Sequence, residues 1–195
     1  MTLRNPAHPV DPLFLARWSP RAFDSAPVPE ADLLTMFEAA RWAPSAFNSQ
    51  PWRFLYALRD DADWPLFLAG LIPWNQSWAQ GASALVYILS DTLPFTGKDG
   101  EPASSHTHSF DAGAAWACFA LQATKLGYQA HGMSGIALDH AREALGVPDR
   151  FRIEAAAAVG RVGDPAILSE KLRAREAPSD RHALQTRVFR GRFPG

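Results

Sequence analysis

Apolar positions change period several times along the chain, and each change marks an element. Asp11 and Pro12 ahead of Leu13, Phe14 and Leu15 supply an N-cap, a first-turn proline and a short helix over residues 11–17. From Glu30 to Arg41, Leu33, Phe37 and Ala40 recur at helical spacing, Leu34 and Met36 widen the apolar face, and Pro44 ends the run. Residues 52–58 and 84–89 read as strands, the second buried around Val86, Tyr87 and Ile88. Between them lies a mixed helical region with Trp64, Phe67, Leu68 and the run Trp74-Asn75-Gln76-Ser77-Trp78. Pro, Gly, Ser and Thr make 91–108 a long loop.

The longest helix is expected from a Ser109 cap through Trp116, Phe119 and Leu121 to Leu126, with Gly127 as its stop. Almost no charge interrupts it before Lys125, so it reads as buried all round, at a domain centre or in a dimer interface. A strand over 128–131, a glycine-flanked loop, a helix over about 139–145 stopped by Gly146, and a strand over 153–159 follow. Strands alternating with helices give α/β or α+β.

A chain of 195 residues, 47% hydrophobic and 20% charged, can bury one substantial core, so residues 1–195 are expected to form a single domain. The net charge of −1 argues against a nucleic-acid or membrane-surface role. The charge is uneven, however. The last 35 residues carry eight Lys/Arg against four Asp/Glu, leaving the first 160 at −5, and this basic tail is either a solvated surface or a strap folded onto an anion. Cys118 is the lone cysteine and sits in an apolar helical stretch, which suits a buried structural thiol in a reducing compartment. The first residues lack an apolar signal-like run and no stretch approaches a membrane span, so the expected address is cytoplasmic.

Two segments carry candidate chemistry. Arg17-Trp18-Ser19-Pro20-Arg21 offers two fixed cations and a hydroxyl, the donor set that a phosphate monoester needs. Pro44-Ser45-Ala46-Phe47-Asn48-Ser49-Gln50-Pro51-Trp52 is a proline-bracketed loop whose short polar side chains suit a heteroaromatic edge. His106-x-His108 lacks a third ligand at metal-binding spacing, and no Gly-x-Gly-x-x-Gly follows a strand.

These segments, with Asn75 and Trp78, Asp111-Ala112-Gly113-Ala114-Ala115, Gly132-Met133-Ser134-Gly135 and Arg181-His182-Ala183-Leu184, resemble the nitroreductase family of FMN-dependent oxidoreductases in order and spacing. The resemblance implies an α+β nitroreductase-like fold: a central, mostly antiparallel sheet flanked by helices, with a long buried helix, in a homodimer with FMN at the subunit interface. It implies that Arg17, Trp18, Ser19, Arg21 and Arg181 hold the phosphate and ribityl end, and that Ser45, Ala46 and Asn48 line the flavin ring from the partner subunit. Asn75 would contact the ribityl or pyrimidine region, and Met133, Ser134 and Gly135 would bring backbone N–H toward flavin N5. No side chain is assigned a catalytic role, because the flavin carries the chemistry. Hydride would come from NADH or NADPH and pass to a small-molecule acceptor, a nitroaromatic or quinone, entering near the 91–108 loop.

One position departs from the family pattern. Where many members carry Lys or Arg three residues after the Asn, this chain has Trp78, which implies a lower flavin potential unless another arginine such as Arg53 takes over. Indoles at 74 and 78 also raise an alternative, a flavin-binding sensor or FMN carrier without turnover, if they close the face a nicotinamide would use.

Overall fold

The computed structural model describes residues 4–194. Helix α1 (Pro12–Ala16) starts as the sequence predicts, with the Asp11 carboxylate accepting from Leu13 N at 2.8 Å. In α2 (Glu30–Arg41), Leu33, Met36 and Ala40 face the core, whereas Leu34 is half exposed. The expected wider face fails at Leu34 because one residue turns the helix by about 100°, carrying it off a stripe centred on Leu33 and Ala40. Then come β1 (Trp52–Leu58), α3 (Trp64–Ala69), α4 (Pro73–Ala79), β2 (Ala84–Asp91), β3 (Phe95–Thr96), β4 (Pro102–Ala103), α5 (His108–Lys125), β5 (Gln129–Met133), α6 (Leu138–Ala144), β6 (Phe151–Gly160) and α7 (Glu170–Arg173).

The main sheet has the order β1-β2-β6-β5, and every neighbouring pair is antiparallel. Antiparallel pairing with helices on both faces makes the fold α+β, resolving the choice the pattern left open. Strand β2 is buried along its whole length because both of its faces are covered. Leu85, Tyr87 and Leu89 pack with the α3, α4 and α6 layer; Ala84, Val86 and Ile88 pack with α2 and α5. The 91–108 segment is not wholly irregular, since β3 and β4 form a small hairpin within it.

A bulge between Ile88 and Leu89 shifts the β2–β6 register, so that Ile88 pairs with Ala155 and Leu89 with Ile153. Glu154 is the extra residue, and its carboxylate turns beneath the first turn of α5. There it accepts from Ser90 Oγ and from Ser109 Oγ at 2.7 Å, close to the positive end of the helix dipole. Ser109 is therefore not the helix cap; Thr107 occupies that position, and His108 Nδ1 joins the same cluster at 2.7 Å from Ser90 Oγ.

Helix α5 buries one side only. Asp111, Ala112, Ala115, Phe119, Ala120 and Ala123 face inward, while Gly113 and Ala117 are exposed and Phe110 is 78% exposed. Within one chain the helix is therefore not enclosed at a domain centre, and the small apolar residues of its outer face are those that the dimer-interface alternative would cover. Cys118 is half-buried. Gly127, at φ 84°, ends the helix in the left-handed conformation its position requires. Among the described residues, no helix is long and apolar enough to cross a membrane.

Candidate functional site

The 17–21 segment leaves α1 at the edge formed by β5. Trp18 N donates to Gln129 Oε1 at 3.1 Å, and Gln129 Nε2 donates to Ala16 O at 3.2 Å. His131 Nδ1 donates to Pro20 O at 2.8 Å. Glu176, from the tail after α7, accepts from Arg21 N at 2.7 Å and Ala22 N at 2.9 Å. Side chains from β5 and the tail thus hold the segment's backbone, leaving the Arg17 and Ser19 side chains free of that task.

His131 packs against this backbone and serves as its anchor. Burial, helped by the nearby charges of Arg21 and Arg17, pushes its imidazolium down to about 4, so the ring is neutral at pH 7. The guanidinium of Arg17 forms no hydrogen bond or ion pair with a described residue. Its pKa is lowered, first by burial and then by the charges of Arg181 and Arg4. Arg21 lies 3.9 Å from Glu176 Oε2 and stacks over Trp78 at 5.9 Å.

Arg181, 160 residues on, returns to the same place, so the basic tail does fold back. Among the described residues, its guanidinium donates only to Ser179 O, Ser179 Oγ and Asp180 O, and its backbone N donates to Asp180 Oδ1 at 2.8 Å. Arg4, which sequence reasoning missed, completes the group: its Nη1 donates to Leu15 O at 2.8 Å and Arg17 O at 2.6 Å, and its Nε to Ser179 O at 3.1 Å. No local pattern flags Arg4, because its neighbours come from the two ends of the chain. Among the described residues, none of the three arginines forms an ion pair with a carboxylate. Asp180 is close enough for its charge to act on Arg4, but one carboxylate offsets one of three cations, and the remaining charges repel one another unless a further anion sits among them.

Next along the β5 edge is α4. Asn75 Nδ2 donates to Gly135 O at 3.0 Å, and Ile72 N reaches the same carbonyl at 3.2 Å. A Cβ on Gly135 would lie 2.5 Å from Asn75 Nδ2 and 2.7 Å from Ile72 Cδ1, so glycine is required by the packing on α4. The backbone N–H groups of Ser134 and Gly135 make no hydrogen bond to a described residue, while Met133 is buried beneath the turn. Trp78 is 3% exposed and packs on His131 with ring centroids 4.5 Å apart. A side chain buried there cannot lie over an external ring, so of the two indoles that motivated a carrier without turnover only Trp74, which is 40% exposed with Lys171 over its ring at 5.0 Å, is placed to cover one. Arg53 does not replace the missing cation within this chain; it bonds Gln50 O and Trp52 O, and Arg21 is the cation beside Trp78.

The 45–50 loop lies elsewhere. Ala46 N donates to Asp111 Oδ2 at 3.2 Å, fixing the loop to the first turn of α5, and Gln50 N donates to Ser45 Oγ at 3.0 Å. Phe47, Asn48 and Gln50 adopt φ of 51°, 55° and 48°, left-handed conformations that cost a bulky residue about 1–3 kcal/mol. Phe47 is 94% exposed. The 17–21 segment, by contrast, meets the last turn of α5 through Gln129 and Thr124. Asp111 and Thr124 stand roughly 20 Å apart along the helix. The chain therefore gathers Arg17, Trp18, Ser19, Arg21 and Arg181 in one region, continues along β5 to Asn75, Met133, Ser134 and Gly135, and leaves Ser45, Ala46 and Asn48 at the other end.

The profile of the nitroreductase family matches residues 15–63 and 63–161. A solved structure of an oxidoreductase containing FMN is 53% identical, with a TM-score of 0.95 over 98% of this chain and 96% of that one. A protein of Exiguobacterium sibiricum solved in complex with FMN shares the fold at 21% identity and a TM-score of 0.75, covering 97% of this chain and 100% of that one. An uncharacterized 15.4 kDa protein of Mycolicibacterium smegmatis is 37% identical over 128 residues, 65% of this chain and 82% of its own. With the antiparallel sheet, the order of its motifs and these matches, the chain belongs to the nitroreductase family.

Proposed function

We propose that the protein is an FMN-dependent oxidoreductase that takes hydride from NADH or NADPH and reduces a nitroaromatic, quinone or similar electron-poor acceptor in two half-reactions, in one pocket at a homodimer interface. The observation that carries this reading is the cluster of Arg4, Arg17 and Arg181, none of them in an ion pair with a described carboxylate, at the start of the segment that also bears Ser19 and Arg21. That donor set fits a dianionic phosphate monoester.

Bound FMN supplies the hydride chemistry at N5. Arg17, Ser19 and Arg181 hold the phosphate and ribityl end, with Trp18 fixed by Gln129 alongside them. Asn75 locks the 133–135 turn, so that the unbonded N–H groups of Ser134 and Gly135 are presented as donors toward the ring. Arg21, over Trp78 and 3.9 Å from Glu176 Oε2, would add its guanidinium to the same phosphate and ribityl end. A fixed cation there favours negative charge on the ligand.

The distance between the two halves supports the homodimer. Ser45, Ala46 and Asn48 lie too far along α5 to meet Arg17 in the same chain, and a second copy with its exposed Phe110, Gly113 and Ala117 face packed on the first would bring them across. Recombinant protein refilled with FMN should stay yellow through gel filtration and oxidise NAD(P)H when a nitroaromatic or quinone is added. A colourless protein with no such turnover defeats the reading.

A further inference from the structure

Arg4 lies outside both recognisable motifs, yet its hydrogen bonds join three separate parts of the chain. Its Nη1 donates to Leu15 O and Arg17 O at the end of α1, and its Nε to Ser179 O, two residues before Arg181. Those bonds satisfy carbonyls that a helix end leaves without partners. They also occupy only two of the three guanidinium nitrogens. Nη2 of Arg4 makes no hydrogen bond to a described residue, and Nε and Nη2 of Arg181 make none either.

A staple serving only the fold would be better made by a neutral side chain, or by an arginine paired with an acid. Here Asp180 is close enough for its charge to act on Arg4, but among the described residues it forms no ion pair with any of the three arginines, and a single carboxylate leaves two of their charges unmatched. Bringing a third cation next to Arg17 and Arg181 costs electrostatic energy in the empty protein. That cost is recovered when a multiply charged anion enters the cluster.

We propose that Arg4 is a positioning residue of the phosphate site: by bonding Leu15 O, Arg17 O and Ser179 O it holds Arg17 and the tail bearing Arg181 in one cluster, and its remaining Nη2 edge adds a third guanidinium. The inference rests on the flavin reading above and deepens it. The N-terminal arm and the C-terminal tail become parts of the phosphate receptor. Lysine cannot substitute, because a single ammonium cannot span three carbonyls and still face the anion.

Riboflavin, which has the ring and ribityl chain without the phosphate, separates this role from a structural one. Fluorescence titrations of the full-length protein with FMN and with riboflavin give a preference ratio for the native chain, for Arg4→Ala and for Arg4→Lys. The expected result is an FMN affinity about tenfold to a hundredfold weaker in Arg4→Ala, riboflavin affinity unchanged, and Arg4→Lys in between. The salt dependence of FMN binding should flatten in the same order. Equal weakening of both ligands, or an unchanged preference, overturns the proposal while leaving the flavin reading intact. A native chain that binds neither ligand overturns the flavin reading, and this inference with it. Retained riboflavin binding also shows that each variant is folded.

Discussion

The 17–21 segment and the 45–50 loop store energy in different ways. The first has an unremarkable backbone, pinned by Gln129, His131 and Glu176, and its tension is electrostatic: Arg17 sits half-buried beside Arg4 and Arg181. The second carries little charge, and its tension is conformational: three non-glycine residues hold left-handed φ, with Phe47 almost wholly in solvent. An anion relieves the first kind of tension, and a surface packed over the loop offsets the second. The difference teaches that each half is incomplete in its own way, which is what two parts of one ligand site contributed by different chains would look like.

Removing charge from the first half should have the largest effect. The double variant Arg17→Ala/Arg181→Ala is expected to weaken FMN binding by about a hundredfold or more while leaving the melting temperature of the flavin-free protein the same or higher, because repulsion is removed. Quenching titrations and a thermal melt check the two parts. A lower melting temperature would mean that the arginines are structural.

Asp111→Ala tests the anchor of the second half. Asp111 is 3% exposed and accepts from Ala46 N and Thr107 Oγ1, so its loss should cost about 1–3 kcal/mol in denaturant unfolding. Riboflavin should then bind more weakly in the same proportion as FMN, because the phosphate end is untouched.

Acid should weaken the first half through His131. Its folded pKa of about 4 lies below the unfolded value of 6.5, so between those values the unfolded chain binds more protons. Stability is full above about pH 6.5 and falls as pH drops toward 4, by up to about 3 kcal/mol. His131→Asn, which keeps an N–H for Pro20 O, should flatten that part of the stability–pH curve. A curve identical to the native one would show that His131 is not the group responsible.

The smallest effect is expected at Phe47. Glycine adopts its φ of 51° without strain, so Phe47→Gly should stabilise the isolated chain by no more than about 1 kcal/mol, read by urea unfolding. A destabilisation would show that the T-shaped contact with Phe95, at 5.8 Å, outweighs the backbone strain.

What was legible in the sequence follows the range of the interactions involved. Residues 52–58 form β1 with the expected bounds because aromatic and apolar content is a local signal, and Asp11 and Gly127 punctuate helices for equally local reasons. The family motifs pointed to the β5 edge, where Arg17, Arg21, Asn75 and Gly135 stand. Not legible were features made by distant partners. The bulge that turns Glu154 under α5 displaced Ser109 as a cap, Trp78 became core through His131, and Arg4 gained its neighbours only when both ends of the chain met. The outer face of α5 is ambiguous from sequence because alanine and glycine suit an interface as well as a core, and one chain alone leaves that face uncovered.

The most direct test of the central claim, that the cation cluster of one chain and the strained loop of another make one flavin site, is complementation in a heterodimer purified with two different affinity tags. One chain carries Arg17→Ala/Arg181→Ala, and the other carries Asn48→Pro, whose fixed φ near −65° cannot meet the 55° required there. Each variant alone should retain almost no FMN, whereas the heterodimer should bind about one flavin per pair, because one of its two sites combines an intact cluster with an intact loop. Heterodimers as empty as either parent would contradict the account.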